Sequence, residues 1–193
     1  MTRSRTRIVD PKQIAALASP RRMEIIDTLE ALGGTADAAT LARELGRPVD
    51  GLYYHLRALA RVGLLEELDA GRRGRRWRSI AGRGRLALGY RTGRNANARA
   101  VARVHQGVLR LAARDFARAV GDAAVVAEGP ERELWVARNQ GWVTPAELRE
   151  INRTLRRLGD LLGQRRDATR ARRIALAWVL APLPVRAVRR GTD

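Results

Sequence analysis

The chain has no cysteine, so a disulfide scaffold, a thiolate metal site and a cysteine nucleophile are all excluded. Lys12 is the sole lysine, serine is scarce, and aromatic residues make up 4% of the chain. His55 and His105 are the two histidines, and neither has a second histidine at ligand spacing. No acid pair, phosphate-binding loop or metal cluster stands out, so the sequence reads as a protein that is not an enzyme and carries no cofactor and no metal. Long hydrophobic runs are also missing. None approaches the roughly 18–20 residues of a membrane span, and the arginine-rich start lacks an apolar signal core, which points to a cytoplasmic protein without membrane contact.

What the chain has in excess is positive charge. Its 193 residues carry 38 basic and 20 acidic groups, a formal net charge of +18. A surface of that kind attracts polyanions, with nucleic acid ahead of an acidic membrane. The charge is concentrated: the stretch from Ala70 to Arg94 holds nine arginines and no acid. At 45% hydrophobic content the chain can still bury one good core or two small ones.

Between Leu41 and Arg78 the pattern becomes specific. Leu41 and Leu45 mark the apolar stripe of a short helix, Gly46 lets the chain leave it, and Pro48 pre-sets the backbone for a second helix starting near Val49. In that helix Leu52, Leu56 and Leu59 recur at four and three residues and share one buried face. Asp50, Gly51, Tyr53, Tyr54 and Arg57 fall off that face and are the candidate base-reading residues. Asp50 either caps the helix or accepts from a cytosine amino group, and His55 either packs locally or meets a phosphate. Gly63 ends the helix. The segments from Leu64 to Asp69 and from Arg75 to Ile80 then read as a hairpin, tipped by Gly71, Arg72, Arg73 and Gly74. Arg72, Arg73, Arg75 and Arg76 are the candidate phosphate or minor-groove contacts, and Trp77 is expected to anchor the hairpin.

Helix, turn, helix and arginine-tipped hairpin in that order make a winged helix-turn-helix. At Ala18-Ser19-Pro20-Arg21-Arg22, Leu41 to Gly46, Leu52 to Leu59 and Gly63-Leu64-Leu65 the chain resembles the ArsR-type winged-helix transcriptional regulators of bacteria. The resemblance covers roughly the first 80 residues. It implies a homodimer whose second helix enters the major groove of double-stranded DNA while the wing grips the backbone. Tyr53 stands where such proteins carry a small polar residue.

The rest of the chain divides by composition. Residues 1–10 read as a basic tail, 11–81 as the winged helix-turn-helix domain, 82–96 as a Gly/Arg-rich linker and 97–193 as a C-terminal domain. The letters Gly82-Arg83-Gly84-Arg85-Leu86-Ala87 match a dinucleotide fingerprint, but the surrounding strand-helix-strand pattern and the following acid are missing. Asn97 to Val120 forms an amphipathic helix, with His105 on its apolar side. Val101, Val104, Val108, Leu111 and Phe116 lie on one arc and are the candidate dimer interface, with an intramolecular core as the equal alternative. Thr144-Pro145-Ala146-Glu147 is a capping box that opens another long helix, with Leu148, Ile151, Leu155, Leu158 and Leu162 along one seam. Ile174, Leu176, Trp178 and Leu180 alternate as in a strand, and Trp135, Trp142 and Trp178 are expected in the core.

The expected fold is therefore mainly α with small β, an N-terminal winged helix-turn-helix followed by a C-terminal α+β dimerisation or sensor domain. The expected function is sequence-specific transcriptional regulation as a homodimer on a pseudo-palindromic operator. The second reading is a nonspecific nucleoid-associated or RNA-binding protein. Whether the C-terminal domain takes a small-molecule effector is left open.

Overall fold

The computed structural model describes residues 4–69, 75–163, 169–170 and 172–184. The architecture is mainly helical with small β elements. It begins with β1 (Arg5–Ile8), in which exposed Arg5 and Arg7 alternate with half-buried Thr6 and buried Ile8. That period of two fits a strand covered on one side. β1 runs parallel to β5 (Arg85–Leu88), with Arg5 opposite Arg85 and Ile8 opposite Leu88. Thus Arg5 to Ile8, read from sequence as tail, and Arg85 to Leu88, read as linker, are built into the sheet structure.

Three helices follow the order expected. They are α2 (Pro20–Ala31), α3 (Ala38–Leu45) and α4 (Asp50–Arg61), preceded by the short α1 (Pro11–Ala16). Proline at the first helical position and Asp10 accepting from Lys12 N at 2.8 Å start α1. The apolar faces of α1 to α4 meet in one core, where Ile14, Ile25, Leu29, Leu41, Leu56 and Leu59 are fully buried. Asp37 caps α3 by accepting from Thr40 N at 2.7 Å and from the Thr40 hydroxyl at 3.0 Å. These bonds, the backbone one first, hold its carboxyl below the usual value of 3.8. Their contribution to stability is complete above the unfolded value and is lost as pH falls through the lowered one. We expect Asp37→Ala to cost about 1 kcal/mol in a urea titration at neutral pH, and that cost to vanish in acid.

The wing is a three-stranded antiparallel sheet. β3 (Leu65–Asp69) pairs with β4 (Arg75–Ser79), and β2 (Thr35–Asp37) closes the other edge of β4. β2 is too short for periodicity to mark it. Its entry depends on Gly34 at φ +90, whose missing side chain would sit 1.7 Å from the carbonyl oxygen of Gly82. The two backbone segments pass that closely because position 34 is glycine. Gly34 O also accepts from Ser79 N at 2.9 Å, which ties the entry of β2 to the end of β4.

α5 (Ala96–Val120) is capped by Asn95 and locked in place by Asn97. The buried Asn97 amide donates to Val9 O at 2.9 Å and Gly89 O at 3.0 Å, and its oxygen accepts from Arg91 N at 2.9 Å. Gly107 allows close approach to the backbone of Ala18. The first half of α5 therefore packs on α1 within the chain. Ala100 and Val104 are buried there, with Val101 and Val108 against the same core. His105, expected on the apolar side, is exposed.

α6 (Pro145–Leu162) has the expected capping box, with Thr144 N donating to Glu147 at 2.7 Å and Glu147 N to the Thr144 hydroxyl at 3.3 Å. Its C-terminal end is held by Arg85, which donates to Gly159 O at 3.1 Å, and by Arg5, paired with Asp160 at 3.0 Å. The strand expected at Ile174 to Leu180 is not formed. Among the described residues after Leu88 there is no strand: 133–143 and 172–184 are extended but unpaired. A strand needs a neighbour to take its backbone hydrogen bonds, and none of the described residues offers one to 174–180. Trp135, Trp142 and Trp178 are likewise not core residues, being 67%, 87% and 42% exposed.

Candidate nucleic-acid interface

Gly46 adopts φ +61, a left-handed conformation that costs glycine little, and ends α3. Arg47, Pro48 and Val49 complete the turn, and Val49, not Asp50, occupies the N-cap position of α4 without a side-chain cap bond. Asp50 is instead the first helical residue, exposed, where its charge complements the helix dipole. With Leu52, Leu56 and Leu59 facing inward, the opposite side of α4 presents Asp50, Gly51, Tyr54 and Arg57, all exposed. Arg61 continues that stripe four residues beyond Arg57; the sequence reading missed it, although the same helical period marks it.

The two tyrosines separate. Tyr54 is 67% exposed, whereas Tyr53 is half-buried against the core.

His55 is half-buried, with its ring edge-on to Tyr54 at 5.2 Å and its Nδ1 without a hydrogen-bond partner among the described residues. Desolvation, followed by the charges of Arg21, Arg22 and Arg47, lowers its pKa below the ordinary 6.5. Those three arginines come from the start of α2 and from the turn, so the positive field around α4 is not confined to α4 and the wing. Arg21 and Arg22 were noted in sequence only as helix-start residues. Because the folded value is depressed, the neutral-histidine contribution to stability is full above 6.5 and is lost as pH falls through the folded value. Titration of the His55 ring by NMR should give a midpoint below 6.5, moving upward when a polyanion binds.

On the wing, Arg75 pairs with Glu67 at 3.2 Å and Arg78 with Glu66 at 2.6 Å. Arg76, exposed and opposite Asp37 in the β2 register, forms no ion pair among the described residues. Arg72 and Arg73 lie outside the described residues. Trp77, between Arg76 and Arg78, points inward and is fully buried, as expected of the wing anchor.

Behind the turn, Glu24 of α2 accepts from Arg47 at 2.9 Å and from Arg114 of α5 at 2.8 Å. One carboxylate thus joins the helix-turn-helix turn to the long helix. The candidate dimer residues divide along α5: Val104 is buried in this chain's own core and Val101 and Val108 pack on it, while Leu111 and Phe116 are half-buried further along. The fingerprint-like Gly82 to Ala87 leads through a turn into β5, so it supplies no helix N-terminus for a phosphate.

A family model described as a helix-turn-helix domain matches residues 17–67, the span from the end of α1 into β3. No curated protein and no solved structure matches the chain. Residues 17–67 are therefore read as a helix-turn-helix domain, whose general work is DNA binding in transcription regulation. No helix among the described residues is long and apolar enough to cross a membrane.

Proposed function

We propose that the chain is a winged-helix transcriptional regulator of the ArsR type, cytoplasmic, that reads a pseudo-palindromic operator as a homodimer. The observation that carries this reading is the exposed stripe Asp50, Gly51, Tyr54 and Arg57 on the helix after the turn, beside a hairpin edged with arginine. A helix presented this way fits the major groove, and two of them related by a two-fold axis would address half-sites about 34 Å apart. Tyr53, half-buried, contributes through its edge and through the packing that orients Tyr54. Arg75 and Arg76, together with Arg72 and Arg73, hold phosphates or a narrow minor groove.

The test is fluorescence anisotropy with a duplex selected from the upstream region of the protein's own gene and with a scrambled duplex, at about physiological salt. A specific reader prefers the first by at least about a thousandfold. Equal affinities would favour the nonspecific nucleoid or RNA-binding reading. The wing is tested separately by the salt dependence of binding. Arg76→Ala should reduce the slope of log K against log salt by about one. Arg75→Ala should reduce it less, because its guanidinium is already shared with Glu67. An unchanged slope in the Arg72→Ala/Arg73→Ala/Arg76→Ala triple variant would remove the wing from the interface.

A further inference from the structure

We propose that the surface formed by residues 133–143 and 174–184 is the face on which a second copy of this chain docks, with strand pairing along 174–180. The inference rests on the homodimer reading and relocates its contact. The first half of α5 is spent within the chain, since Val104 is buried and Val101 and Val108 pack on the same core. The C-terminal part is the reverse.

Residues 174–184 contain no charged group in a chain that is 30% charged. The segment has no helix, turn or bend, and in a paired strand its alternation would put Ile174, Leu176, Trp178 and Leu180 on one side and Ala175, Ala177 and Val179 on the other. Yet no described backbone segment pairs with it, and Ile174, Leu176, Trp178, Leu180 and Leu183 are 42–55% exposed. The companion segment 133–143 exposes Trp135 and Trp142, and α6 exposes Leu148, Leu161 and Leu162. One ion pair, Arg172 with Glu133 at 2.6 Å, draws the two extended segments together at a point without making a ladder between them.

Area and charge identify the occupant. A tryptophan side chain alone offers about 150–250 Å². At these exposures, the three tryptophans and the aliphatic residues around them present roughly 1,000 Å² or more, against about 800 Å² per partner in a standard interface. Two copies of a chain with net charge +18 repel one another, so a stable contact between them must use surface without net positive charge. Residues 174–184, which are uncharged, and 133–143, where Glu133 balances Arg138, supply such a surface, and 174–180 adds a backbone edge left unpaired among the described residues, which a second copy brings as well. Self-complementarity of this kind is what an isologous two-fold interface requires.

The experiment uses the full chain, with its mass read by light scattering after size exclusion and amide hydrogen exchange read by mass spectrometry at two protein concentrations. The expected result is a mass twice the 21.4 kDa of one chain and protection of the amides in 174–180 that grows with concentration. Leu176→Asp/Trp178→Asp should return the mass to 21.4 kDa while the circular dichroism of the helices is kept, and Phe116→Asp should leave the dimer intact. A wild-type dimer with fast exchange at 174–180, or one broken by Phe116→Asp alone, overturns this interface and leaves the homodimer standing. Concentration-independent protection in a monomer overturns it as well, because the segment then pairs within its own chain. A monomer at every concentration with fast exchange removes the homodimer itself. If the double aspartate variant does not fold, the exchange pattern of the wild type still decides.

Discussion

Trp77→Ala should cost about 3–5 kcal/mol, the usual range for removing a fully buried tryptophan, and should abolish DNA binding through loss of the wing. The side chain is 0% exposed and sits on β4, the central strand, with Ala36 of β2 opposite on one edge and Glu67 of β3 on the other. Its indole nitrogen makes no hydrogen bond among the described residues, so the position uses the volume of the ring and not its polarity. Trp77→Phe therefore forfeits packing without stranding a partner, and should cost well under half as much as alanine. Thermal unfolding followed by circular dichroism gives the comparison. The emission spectrum gives an independent one: Trp135, Trp142 and Trp178 are solvent-exposed, so the blue-shifted component belongs to Trp77 and should be missing from both variants. If phenylalanine proves as costly as alanine, the indole nitrogen has a partner that this account lacks.

Elements whose signal is local were legible in the sequence, and elements made by tertiary pairing were not. The spacing of Leu52, Leu56 and Leu59 states the buried face of α4 outright, because a helix converts sequence spacing directly into direction. The Thr144 and Glu147 capping box is similarly self-contained, since both partners lie within four residues. β1, β2 and β5 have three or four residues each and exist because a distant strand lies alongside. The alternation of Arg5 to Ile8 was present in the sequence but looked like a charged tail. Its neighbour is 80 residues away, opposite Arg85. The segment 174–180 failed in the other direction, with a strong strand pattern and no strand, because alternation specifies a face and cannot supply a neighbour. Within the candidate interface, helical periodicity placed Tyr54 and Arg57 outside, yet it could not separate Tyr53 from Tyr54. That difference depends on how the core closes around position 53.

Arg57→Ala combined with Tyr54→Phe is the variant that most directly tests the proposed reading helix, and it should lower affinity for the operator by about 1–3 kcal/mol, roughly ten- to a hundredfold. Both positions are exposed, so the substitutions leave the core of α4 intact and should leave the unfolding midpoint within about 0.5 kcal/mol of wild type. The loss must fall unequally on different duplexes. A guanidinium that reads a base edge loses that base's preference when it is removed, whereas one that merely neutralises a phosphate weakens every duplex alike and lowers the salt slope. For Tyr54→Phe only the hydroxyl is deleted, so any effect isolates a hydrogen bond from ring stacking. The decisive number is the ratio of operator to scrambled affinity, measured by anisotropy at fixed salt. A ratio that falls with the double variant and stays unchanged with Arg76→Ala assigns base reading to α4 and backbone grip to the wing. A ratio untouched by the α4 substitutions, with both affinities reduced in proportion, makes α4 a second phosphate-binding surface, and the chain would then use its helix-turn-helix to hold nucleic acid without reading it.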